Sequence, residues 1–195
     1  MNSIILVGDI GSGKTFVSRL FKVPCFSADT EVIKLYKSNK KCFKALKNKF
    51  PKFIKSFPVK KTELFKVISK NLKNLKKIGL IVHPFVRRKL IIFLKKNKKK
   101  KLVVLDIPLY LENRMNKKND IIIFLKTKKR DVNKMLKKRK NLNLNLLNIL
   151  RKSQFPLEKK KIKASYVLIN NYNSEIMKSK VKNLKSRILN DRSGS

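Results

Sequence analysis

The sequence predicts an α/β fold, with a parallel sheet covered by helices. Three observations predict it. Short runs rich in Ile, Val and Leu alternate with longer stretches of helical character along the 195 residues. The first run, residues 3–8 (SIILVG), opens directly into a glycine-rich loop. Two acids, Asp29 and Asp106, stand just after apolar runs, where open parallel sheets place their ligands. With only 11 acids in the chain, two in that position carry weight.

Residues 3–8 form an apolar run bounded by glycine, which reads as a strand buried on both faces. A helix opens over 16–22, and a short strand at 24–27 ends just before Asp29. Helical character returns over about 30–48. From 48 to 84 there is no clear strand. Phe50-Pro51 and Phe57-Pro58 mark turns, and Thr62 suits a helix cap. Helices are expected over 62–76 and 84–97, the second starting at Pro84. The dense basic run 95–101 (KKNKKKK) reads as a solvated turn before a strand. Residues 102–105 (LVVL), 121–125 (IIIFL) and 166–169 (YVLI) are further strands, with helices over 128–139, 145–163 and 173–189. Residues 141–150 (NLNLNLLNIL), after Lys137-Lys138-Arg139, suit a mobile flap. The chain is therefore expected to form one domain. Its core comprises about 1–47, 101–139 and 164–195, with a helical acceptor region at 48–100 and a lid at 139–155.

Composition narrows the classes. Hydrophobic residues make up 42%, which excludes a disordered tail. No apolar run approaches the roughly 20 residues that span a bilayer. The N-terminus lacks a basic region and a small-residue cleavage site, so no signal peptide is expected. Cys25 and Cys42 have no metal-ligand spacing and suit free thiols in a reducing cytoplasm. The 52 basic residues give a net charge of +41, which predicts attraction to polyanions. That charge is spread along the chain, and the aromatics are mostly Phe among apolar neighbours. Both features disfavour a dedicated nucleic-acid platform.

Gly8-Asp9-Ile10-Gly11-Ser12-Gly13-Lys14-Thr15 matches G-x-x-x-x-G-K-[ST], the Walker A loop. Three of the chain's five glycines fall in these eight positions. Such a loop turns its backbone N–H groups toward phosphate oxygens at a helix N-terminus, with Gly8, Gly11, Ser12 and Gly13 forming the cradle. Lys14 is expected to reach the β- and γ-phosphates, the Thr15 hydroxyl to ligate Mg²⁺, and the Phe16 N–H to touch the α-phosphate. Asp106 after its strand is Walker-B-like and suits Mg²⁺ held through water. A turn aspartate is the structural alternative.

The series of motifs resembles one family, the dephospho-coenzyme A kinases. It runs through Gly8–Thr15, Ser27-Ala28-Asp29 with Lys34-Leu35-Tyr36, and Val82-His83-Pro84-Phe85-Val86-Arg87. It continues with Leu105-Asp106-Ile107-Pro108-Leu109-Tyr110-Leu111-Glu112 and Gln154-Phe155-Pro156-Leu157-Glu158-Lys159. It ends with Ala164-Ser165-Tyr166-Val167-Leu168-Ile169-Asn170-Asn171. Each later motif is weak alone, but together, in family order, they are specific. The resemblance implies a P-loop NTPase three-layer core with a helical acceptor region and a lid. It implies ATP and Mg²⁺ as cofactors and phosphorylation of the ribose 3′-hydroxyl of dephospho-coenzyme A. It places Asp29 as the catalytic base, with a helix N-cap as its structural alternative, and Arg139 as the lid arginine. His83, Arg87 and Glu112 fall in the substrate region, where Arg87 suits an acceptor phosphate and Glu112 also suits a salt bridge. Asn170 falls at the adenine contact. The sequence departs from the family at Ser27 and Ser165, where Asp is usual, at Met135, where a second lid arginine is often found, and at Lys61, which replaces an Arg. The expected protein is a cytoplasmic monomer acting on a small molecule, with no membrane and no specific nucleic acid as partner. The rival readings are another nucleoside or small-molecule P-loop kinase and a basic nucleic-acid-binding P-loop ATPase.

Overall fold

A computed structural model describes residues 1–138 and 144–191. The chain divides into two compact units, residues 1–26 with 99–195 and residues 27–98.

The first unit carries the sheet. Its strands are β1 (Asn2–Gly8), β2 (Cys25–Ser27, whose last residue begins the second unit), β3 (Leu102–Asp106), β4 (Asp120–Lys126) and β5 (Tyr166–Ile169), in the spatial order β2-β3-β1-β4-β5. β1 pairs in parallel with β3 and β4, with Ile5 opposite both Leu105 and Ile122, and β4 pairs in parallel with β5. The expected α/β class is the one observed. Ile4, Ile5, Val103, Val104 and Ile123 are completely buried, which explains why these strands read as unbroken apolar runs rather than alternating ones. On one face Ile4, Leu6, Ile121, Ile123 and Leu125 meet Val17 and Phe21 from α1 (Lys14–Leu20) and its end. Met177, Val181 and Ile188 from the C-terminal helix (Ser174–Asn190) complete that layer. Each such side chain contributes about 1.5–3 kcal/mol by leaving water.

The second unit is helical: α2 (Ala28–Ser38), α3 (Lys40–Lys49), α4 (Lys61–Lys70) and α5 (Lys73–Lys96). Its own core gathers Leu35, Cys42, Leu46, Phe50, Ile54, Val67, Ile78 and Val82. Residues 28–47, expected with the nucleotide core, pack here instead. The expected helix 30–48 is broken by Asn39. Its N–H donates to the Leu35 carbonyl, closing α2, and its side-chain oxygen accepts from the Cys42 N–H, opening α3. Thr62 does not cap α4; the cap position is Lys60. The boundary expected at Pro84 is also absent, since α5 runs through it with Ile78, Val82 and Leu90 buried. A proline inside a helix removes one ladder bond. The buried stripe on both sides of it holds the helix together nonetheless.

The remaining helices are α6 (Lys129–Lys137), α7 (Leu144–Lys152), α8 (Leu157–Ile162) and α9, the C-terminal helix above. The expected helix 145–163 is two helices, parted where Phe155-Pro156 disfavours helical backbone. Of the expected flap, 141–143 lie outside the described residues. The rest belongs to α7, where Leu147 is buried with Val132 and Leu136 of α6. Both cysteines are free thiols, Cys25 exposed and Cys42 buried. Among the described residues no helix is long and apolar enough to cross a membrane.

Candidate active site

The loop between β1 and α1 turns on glycines at positive φ. Gly8 (φ +151°) lies so close to the next strand that a Cβ there would sit 2.7 Å from the Leu125 carbonyl oxygen. A Cβ on Gly13 (φ +90°) would sit 2.7 Å from the Asn170 amide nitrogen. No side chain fits either place, which is why the loop is glycine-rich in a glycine-poor chain. Gly13 is the N-cap of α1, so the helix starts at the loop's end with its N–H groups turned toward it.

Lys14 folds its side chain back over this loop, donating to the carbonyl oxygens of Asp9 (2.6 Å) and Gly8 (3.2 Å). Thr15 donates its hydroxyl to an Asp106 carboxylate oxygen at 2.9 Å, joining two residues 91 positions apart in the chain. Asp106 is the last residue of β3 and is buried to 9% exposure. Thr15 and Phe16 are exposed on the first turn of α1. The Ser12 hydroxyl is completely buried with no hydrogen-bond partner among the described residues. A hydroxyl and a carboxylate side by side are hard oxygen donors. They fit Mg²⁺, which binds through one or two such groups and keeps several waters. No cluster of three or more His, Cys, Asp or Glu that could hold a metal occurs among the described residues.

The loop is gripped from two sides. Ile10 packs on Val132, Leu136 and Leu147 of α6 and α7. The Asp9 carboxylate accepts from the Ile10 N–H at 2.7 Å and lies 3.7 Å from the Arg151 guanidinium of α7. From the other side, after β5, the buried Asn170 amide donates to the Ser12 carbonyl (2.8 Å) and the Tyr172 hydroxyl to the Gly11 carbonyl (2.7 Å). Asn170, expected at an adenine, has its NH₂ group on the glycine loop. Tyr172 and Arg151 were not legible as site residues. Nothing local marks them, and only the fold brings them to the loop.

Cys25 on β2 is a near neighbour of this region. Although the residue is exposed overall, partial desolvation of its thiol raises the pKa above the usual value; a hydrogen bond with Ser18 lowers it and the Asp106 charge raises it.

Glu112 lies in a buried node. Its carboxylate is 3.0 Å from the Lys160 ammonium and accepts the Phe155 N–H at 2.9 Å, while Lys160 also donates to Gln154 at 2.7 Å. Both charged side chains are under 10% exposed. The carboxylate expected in the substrate region is thus engaged within the protein, tying the segment after Asp106 to the start of α8.

Three predicted residues belong to the helical unit. Asp29 is exposed in the first turn of α2, at the positive end of the helix dipole, where a carboxylate is favoured. It is not the N-cap; Ser27 holds that place, accepting from the Thr30 N–H at 3.4 Å. His83 and Arg87 are exposed one turn apart on α5 and share a face. The imidazole lies over Gly79, where a Cβ would come within 3.3 Å of it. Although the residue as a whole is exposed, partial desolvation of its ring, with a smaller effect of the Arg87 charge, holds the His83 pKa below its ordinary value. Arg139 lies outside the described residues.

A model of the CoaE family, described as dephospho-CoA kinase, matches residues 3–176. The chain belongs to the dephospho-CoA kinase family. The match takes in the glycine loop, Asp29, Asp106, the Glu112 node and the Asn170 loop. A dephospho-CoA kinase of Wolbachia pipientis is 31% identical over 186 residues, spanning 93% of this chain and 95% of the relative. One of Bartonella quintana is 31% identical over 173 residues, spanning 86% and 88%. Among solved structures, TT1252 from Thermus thermophilus superposes with a TM-score of 0.74 at 23% identity, covering 98% and 97% of the two chains. The dephospho-CoA kinase from Campylobacter jejuni does so with 0.66 at 20% identity, covering 96% and 97%. At those identities the structures speak for the fold.

Proposed function

We propose that the chain transfers the γ-phosphoryl group of ATP to the ribose 3′-hydroxyl of dephospho-coenzyme A, giving coenzyme A and ADP, in the cytoplasm. The observation that carries this reading is the 2.9 Å Thr15–Asp106 contact beside a glycine cradle, in a chain of this family.

The phosphates of ATP lie against the backbone N–H groups of the loop and of the first turn of α1, including that of Phe16. Lys14, now on the Gly8 and Asp9 carbonyls, exchanges them for β- and γ-phosphate oxygens. Thr15 and Asp106 would hold Mg²⁺, which would supply charge neutralisation for the phosphates. Asp29 accepts a hydrogen bond from the 3′-hydroxyl, orients it and takes its proton. The ribose oxygen bonds to the γ-phosphorus, and the bond from that phosphorus to the β-phosphate oxygen breaks with its electron pair going to ADP. Arg139, by the family resemblance, stabilises charge on the transferring group. His83 and Arg87 offer a ring and a guanidinium on one helix face, a pair suited to an acceptor phosphate.

Purified protein given ATP, Mg²⁺ and dephospho-coenzyme A should yield coenzyme A and ADP. No product from folded protein overturns the reading. Lys14→Ala and Asp29→Asn should each lower turnover by about 10²–10⁴-fold with thermal unfolding unchanged. Full activity in Asp29→Asn would remove the base from Asp29.

A further inference from the structure

Tyr172 is a tyrosine in left-handed backbone, φ +61°, a conformation that non-glycine residues rarely adopt. Such outliers persist only where the surroundings hold them, and they gather at functional sites. Here the surroundings are specific. The Asn170 side-chain oxygen accepts the Tyr172 N–H at 2.8 Å, closing a tight turn. Asn170 is itself fixed, 2% exposed, with its own N–H on the Lys126 carbonyl at 2.9 Å. The turn aims the tyrosine ring along Gly13, where a Cβ would lie 3.8 Å from it, and sets the hydroxyl on the Gly11 carbonyl.

We propose that Tyr172 is a positioning residue for nucleotide binding, acting by setting the peptide planes of the phosphate loop before the ligand arrives. In a trans peptide the C=O and N–H point in opposite directions, so holding the oxygen aims the N–H. Asn170 holds the Ser12 oxygen and so directs the Gly13 N–H to the opposite side. Tyr172 holds the Gly11 oxygen, while the N–H of the same plane rests on the Asp9 carbonyl at 3.2 Å. The plane is fixed at both ends. A cradle already shaped binds phosphate without the cost of ordering it.

This inference rests on the ATP reading above, and binding measurements separate the two. Tyr172→Phe keeps the ring and removes the hydroxyl. Its Kd for ATP should rise about five- to tenfold, the size of one lost hydrogen bond. The Kd for dephospho-coenzyme A and the thermal midpoint should stay as in the wild type. Tyr172→Gly, which adopts positive φ without strain, removes ring and hydroxyl together and should weaken ATP at least as much. Unchanged ATP affinity in either variant overturns the proposal. So does an equal loss for both substrates with a falling midpoint, which marks a merely structural tyrosine. Wild-type protein that binds no ATP overturns the nucleotide reading itself, and this inference with it.

Discussion

His83 is the chain's single histidine, so its titration can be followed without interference. Partial desolvation of the ring and the nearby Arg87 charge both favour the neutral form in the folded protein. The proton resonances of the imidazole should therefore titrate with a midpoint below the ordinary 6.5. The sign follows for stability. A folded pKa beneath the unfolded one means that the unfolded chain binds more protons between the two values. The contribution of His83 is complete above 6.5 and is lost as pH falls through the folded value. His83→Gln should remove that part of the acid sensitivity in unfolding curves. A midpoint at or above 6.5 contradicts the assignment. At this scale the sequence was most informative where chemistry demands one residue type. The glycines, Lys14, Thr15 and Asp106 stand out because the motif they form admits few other residue types. Tyr172 did not, because its hydroxyl reaches a carbonyl 161 residues away and nothing beside it in the chain announces that.

Elements were legible where their own physics sufficed. The buried strands β1, β3 and β4 appear at their expected positions because a strand covered on both faces must be apolar throughout; β5 appears at its expected position as a short apolar edge strand. Boundaries were missed where one side chain or the tertiary core decided. Asn39 ends one helix and starts the next with two hydrogen bonds that periodicity does not see. Pro84 stops no helix because its neighbours are locked into the helical core. The break before α8 is held by the Glu112–Lys160 pair. With both charges buried, removing one leaves the other uncompensated. Lys160→Met should cost about 3–5 kcal/mol in urea unfolding. Adding Glu112→Met should restore part of that and not all, since the Phe155 N–H then loses its acceptor, a cost of about 1–3 kcal/mol. A double variant less stable than Lys160→Met would show that the pair is not the source of the effect.

Over the whole molecule the dominant quantity is charge. With +41 on 195 residues, the anionic substrates of the proposed reaction should be drawn in from beyond contact range. Such attraction is screened within about 8–10 Å at physiological salt. Raising ionic strength from about 0.05 to about 0.3 M should lower kcat/KM roughly tenfold or more while kcat changes little. A kcat/KM indifferent to salt would show that the basic surface does not steer substrate. The same surface guards the sheet's open side. β5 is an edge strand with Val167 and Ile169 about half exposed, and the Lys180 ammonium donates to the Ile169 carbonyl at 3.3 Å, which blunts it against pairing with another chain. The amino-acid string alone determined the α/β class, the glycine-rich turn between β1 and α1 and the family, because those depend on short-range patterns: apolar runs, glycines that admit no Cβ, and motifs in order. Only the tertiary structure decided that residues 28–47 pack in the helical unit, that Glu112 pairs with Lys160, and that Asn170 and Tyr172 brace the loop. Each of those depends on which side chain meets which across scores of residues, and contacts of that kind leave no local pattern to read.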